Sequence, residues 1–176
     1  LEIYGRFREQ RKARNSRISD GTITGVEDVT QRNYRLNLAY KVSESITIKS
    51  RLEYVTVTRQ SSEGQKGVLL YQDIVYKPKN SPVDISLRYA LFDTDGYDSR
   101  IYAFENNMLN VFYIPAHNDK GMRTYALIRW TFARRFDLWI KYGVFLYSNR
   151  KNIGSGPELI DGNKKSDIGV QLRVKF

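Results

Sequence analysis

The chain contains no cysteine, one histidine and four prolines, and it has no apolar run approaching the length of a membrane helix. Without thiols there is neither a disulfide framework nor a thiolate metal site, and one histidine excludes a multi-histidine centre. No metal or cofactor is expected. A helical span needs ~20 consecutive apolar residues, but a transmembrane strand needs only ~10, of which alternate ones must be apolar. A negative mean hydropathy therefore excludes helical spans and leaves strands open. The first ten residues, LEIYGRFREQ, have no initiator Met, apolar signal core or cleavage site, and they already alternate like a strand. The expectation is a mature or truncated chain whose topology is counted back from its C-terminus.

What is present points to strands. The 176 residues suit one domain, 1–176, because a single core or small barrel can use this whole length. Aromatics make up 13% of the chain, with 13 Tyr, 8 Phe and 2 Trp, and many fall near predicted strand ends, where an interfacial girdle needs rings with polar tips. Ordinary β-propensity favours the same residues. The formal charge of +10 suggests polyanionic partners without naming one.

The last eleven residues, SDIGVQLRVKF, alternate Ile168, Val170, Leu172, Val174 and Phe176 with Asp167, Gln171, Arg173 and Lys175. An aromatic-terminated strand of period two suits a wall with lipid on one side and a polar lumen on the other. Earlier strands are predicted at 1–10, 28–42, 45–59, 67–77, 83–92, 121–133 and 136–148. The region 97–116 reads either as one long strand or as two joined at Asn106-Asn107. As one strand it would place the short turns at 43–44 and 78–82 on the same side as the long 149–165 loop, against the rule of short turns at one end and longer loops at the other. Splitting it restores the rule, and Asn-Asn tolerates a type I′ turn. The reading is all-β: an antiparallel up-and-down transmembrane β-barrel with about ten visible strands.

If the apolar face looks outward, the lumen is lined by Arg35, Lys49, Arg51, Glu53, Arg88, Arg123, Arg129, Asp137, Lys141 and Arg173. Charges of both signs would plug a narrow lumen or set anion preference in a wide one. Arg11, Lys12, Arg14 and Arg17 fall in the first predicted outer loop, and Arg150, Lys151, Lys164 and Lys165 in the last, where they could bind lipid phosphates. Solvated loops are the alternative. Val170, Leu172, Val174 and Phe176 would form the assembly signal read by barrel-insertion machinery.

The segments GVLLYQDIVYKP, ISLRYALFDTDGYDSRIYAFENNMLNVFYIPA, DLWIKYGVFLY and RKNIGSG resemble the C-terminal barrel of large Bacteroidota proteins labelled helix-hairpin-helix domain-containing. The resemblance covers about residues 33–176, and LFDTDGYDSRIYAFEN is its most specific string. It implies a bacterial outer-membrane barrel of poorly defined function, preceded by small helical domains and beginning upstream of the residue matching Leu1. This chain would then be the C-terminal part of a larger barrel. The helical hairpins lie outside the resembling residues, so no nucleic-acid partner is implied, and no catalytic residue is transferred.

Little in the sequence suggests catalysis. His117 in IPAHNDKG lies near Asp119, and Asp93 and Asp95 occupy another predicted outer loop, so a barrel-mouth hydrolase has candidate groups; polar turns use the same residues. The glycines of IGSGPELIDG lack the Lys and strand-to-helix context of a phosphate loop. The chain is not read as an enzyme. The expected role is a channel, transport element or membrane scaffold in a larger assembly. Its expected partners are outer-membrane lipids including lipopolysaccharide, the insertion machinery and other outer-membrane proteins. The alternative is a soluble lipocalin-like barrel whose apolar faces turn inward around a lipid.

Overall fold

In the computed structural model, which describes residues 1–16 and 25–176, alternating sequence becomes long antiparallel strand. Strands β1 (Glu2–Asn15), β2 (Val26–Lys41), β3 (Ile46–Thr58), β4 (Gln65–Tyr76) and β5 (Val83–Thr94) follow one another. Two short ladders, β6 (Ile101–Tyr102) with β7 (Ala116–His117) and β10 (Asn152–Ile153) with β11 (Ile160–Asp161), lie in the connections around β8 (Lys120–Ala133), β9 (Phe136–Tyr147) and β12 (Lys164–Val174). The long strands form one eight-stranded sheet in the order β1-β2-β3-β4-β5-β8-β9-β12. Each long strand pairs with the next long strand in the chain, with β6 and β7 set aside in the β5–β8 connection and β10 and β11 in the β9–β12 connection.

Connections at one end of the sheet are short, and local chemistry closes them. Ser43 Oγ accepts from the backbone N–H groups of Ser45 and Ile46 (3.3 and 3.1 Å), which replaces ladder partners lost in the turn. Only Arg134 and Arg135 separate β8 from β9, next to an irregularity between Trp130 and Ala133. The opposite end carries the long connections, residues 95–119 and 148–163.

Register fixes what each face carries. Leu36, Leu52, Leu70, Leu91, Met122 and Leu146 lie in one row across six strands, and Ile85, Ile128, Ile140 and Val170 lie in another. Leu172 is 56% exposed and Ile168 74%, while Arg88, Arg123, Glu53 and Asp137 on the other face are buried. Apolar side chains thus cover the open, convex side, and most charged ones are enclosed on the concave side. Toward the long-connection end, the concave side also holds an apolar cluster that includes Val55, Leu69, Phe92, Phe145, Tyr147 and Ile153.

Three expectations are corrected. Residues 97–116 add no strand to the sheet, because β5 pairs directly with β8 from Val83↔Trp130 to Asp93↔Lys120. Adding two strands or none leaves the parity of the loops unchanged, so the parity rule could not separate these outcomes. The sheet is also open, since β1 and β12 are its edges and do not pair with each other. Finally, the basic run is not a loop. Arg11, Lys12 and Arg14 continue β1, paired with Thr30, Val29 and Glu27, and Lys164 and Lys165 open β12. Arg17 lies outside the described residues.

Candidate functional site: the concave face and its in-folded segment

The connection 95–119 turns back onto the concave face. Its base is the β6–β7 ladder, extended by hydrogen bonds from Ala103 N–H to Pro115 O (3.4 Å) and from Glu105 N–H to Tyr113 O (3.1 Å). A turn closed by Val111 N–H to Met108 O (3.2 Å), with Asn110 at φ 59°, forms its tip. Alternation within it is real, but it sorts Ile101, Ala103 and Glu105 against the sheet and leaves Tyr102 and Phe104 exposed.

Long cationic side chains on the sheet grip this segment. Arg123 donates from Nε and Nη2 to the two Glu105 carboxylate oxygens (2.8 and 3.0 Å), and Lys141 Nζ reaches Glu105 Oε2 at 2.9 Å. Arg123 also binds Asp167 on β12 at 2.6 Å, so one guanidinium ties the segment to two strands of wall, β8 and β12, and Lys141 adds β9. Gly143 leaves the room this requires, because a Cβ there would collide with the Arg123 guanidinium. Burial alone would raise the Glu105 pKa, but the Arg123 and Lys141 hydrogen bonds and charges hold it below the usual carboxylate range.

Other polar groups hold the backbone of the segment. Arg88 forms a two-pronged pair with Asp73 (2.6 and 2.7 Å), lies 3.8 Å over the Tyr71 ring, and donates its remaining Nη1 to Phe104 O at 2.7 Å. Arg51 pairs with Glu53 and donates to Tyr102 O at 3.2 Å. Tyr125 OH accepts from Asn106 N–H (3.1 Å), and Gln171 Nε2 donates to Leu109 O (3.0 Å). Met108 packs where a side chain at Gly169 would otherwise stand. Beyond the tip, a cavity of about 430 Å³ is lined by groups including Lys49, Lys77, Asp84, Arg129 and Trp139.

A second charge cluster closes the short-turn end. Buried Asp137 accepts from Thr131 Oγ1 (2.6 Å), Arg129 Nη2 (3.2 Å) and Arg173 Nε (2.9 Å), with Lys175 Nζ at 3.0 Å. The sequence-predicted lumenal residues therefore share the concave face, most of them in paired clusters. Arg35 joins Glu53 at 3.0 and 3.2 Å. Glu105 and Asp73, the carboxylates that anchor the centre, are absent from that prediction. Asp73 lies on β4, on the face opposite the exposed Leu70 and Ile74, whereas Glu105 becomes legible only once its segment is known to fold inward.

The remaining candidates separate. His117, expected in an outer loop, is fully buried; its Nδ1–H donates to Ile101 O (3.2 Å) and its ring lies against Phe92 and Phe145. Burial pushes its pKa down to about 4. Asp119 instead pairs with Arg150, Asp93 with Lys120 at 2.8 Å, and Asp95 accepts from Lys66 N–H at 2.8 Å. The structure does not bring His117 and Asp119 together as a dyad. Lys151 is exposed, and the 153–162 stretch is organised by the β10–β11 ladder, with Ile153 buried in the concave cluster. Among the described residues no group of histidine and carboxylate side chains has the arrangement of a metal site. No protein-family model, curated protein or solved structure matches the chain.

Proposed function

We propose that this chain is a wall of an outer-membrane β-barrel, serving as a channel, transport element or membrane scaffold, with its lumen narrowed by the in-folded segment. The observation that carries the reading is the inversion of the two faces: apolar rows are exposed while arginines and carboxylates are enclosed. Fully burying one large apolar side chain is worth about 1.5–3 kcal/mol, so a whole face of them in water is strongly disfavoured. Lipid removes that cost. The apolar positions of β9 run from Phe136 to Leu146, which at ~3.3 Å per residue and a tilt of about 40° gives roughly the 25 Å apolar band of outer-membrane barrels.

Aromatic rings at the band's margins support the same reading. Phe7, Tyr34 and Tyr54 form one chain of contacts (5.1 and 6.2 Å) toward the long connections, and Trp130, Phe132 and Phe136 form another (5.2 and 5.4 Å) at the short turns. The soluble lipid-binding alternative needs the apolar face inside, and this arrangement does not favour it.

An eight-stranded barrel is only just wide enough for its own side chains. A closed barrel that also holds the in-folded segment therefore needs additional strands between β1 and β12. This agrees with the larger barrel implied by the resemblance of residues 33–176. Val170, Leu172, Val174 and Phe176, on the exposed edge strand and just beyond it, remain the proposed signal for the insertion machinery. Arg150, Lys151, Lys164 and Lys165 remain candidates for lipopolysaccharide phosphates at the long-connection end.

Replacing Ile128 or Leu172 with Arg tests the reading. The full-length protein should lose membrane insertion, whereas a soluble binder would keep its solubility and lose only ligand.

A further inference from the structure

Between β1, β2 and the start of the in-folded segment lies an open cavity of about 310 Å³ on the concave face. Arg6, Arg8, Lys12 and Arg14 line it from β1, at positions of one parity that share a strand face, and Arg35 and Arg100 complete the wall. Only two carboxylates, Glu53 and Asp98, line the same space. Both are engaged: Glu53 accepts from Arg35 and Arg51, and Asp98 pairs with Arg59 (3.2 Å) and Arg14 (3.7 Å). Arg6, Arg8 and Lys12 have no carboxylate within ion-pair distance among the described residues.

The register sharpens the imbalance. Arg6 stands directly opposite Arg35 across the β1–β2 pair, and like charges at opposed positions destabilise a sheet unless something lies between them. Arg6 Nε is buried with no hydrogen-bond partner. Arg100 is already oriented, with Nε on Tyr102 OH (2.7 Å), Nη1 on Tyr97 O (2.6 Å) and its Cζ 3.9 Å from the Tyr97 ring centroid, which leaves Nη2 free to donate among the described residues.

We propose that this cavity binds a small phosphate-bearing anion, held by Arg6, Arg8, Lys12 and Arg100. Guanidinium forks match the geometry of phosphate oxygens, and an anion here would convert the Arg6–Arg35 repulsion into shared attraction. The cavity opens on the concave side, while the apolar side chains of the same strands, such as Phe7 and Leu36, are exposed on the other. A soluble phosphate fits that placement better than a lipid headgroup. The site concerns equilibrium binding and does not depend on whether the lumen conducts.

The test is calorimetric titration of the detergent-solubilised full-length protein with pyrophosphate at low salt, beside lipopolysaccharide retention on the same sample. The expected result is one saturable pyrophosphate site that weakens with added salt. It should weaken about tenfold or more in the Arg8→Gln, Lys12→Gln double variant and stay unchanged in Arg11→Gln, whose side chain pairs with Glu9 at 3.3 Å. Arg8 and Lys12 are exposed and form no ion pair among the described residues, so their loss should leave folding intact, as circular dichroism would verify. Absence of saturable binding, or equal binding by the double variant, overturns the proposal. So does lipopolysaccharide retention that depends on Arg8 and Lys12 while pyrophosphate stays silent, because it assigns the cluster to a headgroup.

Discussion

Arg123 on β8 and Glu105 on the in-folded segment, eighteen residues apart in sequence, form a two-pronged buried ion pair at 2.8 and 3.0 Å. This pair converts a connection between two strands into part of the concave wall. Removing one partner of a buried pair leaves an uncompensated charge, which costs about 3–5 kcal/mol.

Glu105→Ala should therefore loosen the segment while leaving the sheet intact. Arg123 keeps Asp167, but Lys141 loses its carboxylate. Hydrogen exchange at the Ala103 and Glu105 amides, which bond across the segment, should accelerate by orders of magnitude. Exchange as slow as in the parent would show that the pair does not hold the segment.

Gly143→Val probes the same centre from the wall. Its added side chain must displace the Arg123 guanidinium, and overpacking of this kind costs about 1–3 kcal/mol. The denaturant midpoint should fall, with the same loss of amide protection at Glu105.

His117 gives a pH signature. Its folded-state pKa of about 4 lies below the ordinary value near 6.5, so the unfolded segment binds the proton more readily. The stability this contributes is present above about pH 6.5 and is lost as pH falls toward 4, by up to roughly 3 kcal/mol. Protection of the segment should decline through that window, and His117→Phe should flatten the decline.

Arginine on the convex face should fail in lipid. At the middle of a bilayer it costs about 2–4 kcal/mol on a barrel's lipid-facing surface. Ile128→Arg should therefore lower the folded fraction in vesicles, while Leu159→Arg in an exposed connection should not.

The strands and their phase were legible because period-two alternation is written residue by residue in β2, β3, β5, β8, β9 and β12. The in-folded segment was not, since Ile101, Ala103 and Glu105 alternate with Tyr102 and Phe104 equally well in a sheet strand and in an arm laid against one. Pro115 was the available signal, because proline within a central strand removes a ladder donor. The last five residues of β1, 11–15, were missed for a different reason. Beyond Gln10 it is almost wholly polar on both faces, so pairing such as Arg11↔Thr30 and Arg14↔Glu27 continues the ladder with little hydrophobic trace. Glu105 was missed with its segment, and the cationic cavity was hidden because Lys12 and Arg14 were read as loop.

The two tryptophans of the chain report on opposite faces: Trp130 is 46% exposed on the convex side and Trp139 is 6% exposed on the concave side. The most direct test is fluorescence quenching by brominated lipids in vesicles containing the full-length protein or its Trp130→Phe and Trp139→Phe variants. Loss of a quenchable component with Trp130→Phe, and its retention with Trp139→Phe, is the predicted result. A quenchable component that disappears with Trp139→Phe instead, or that neither variant changes, would contradict a lipid-facing convex surface.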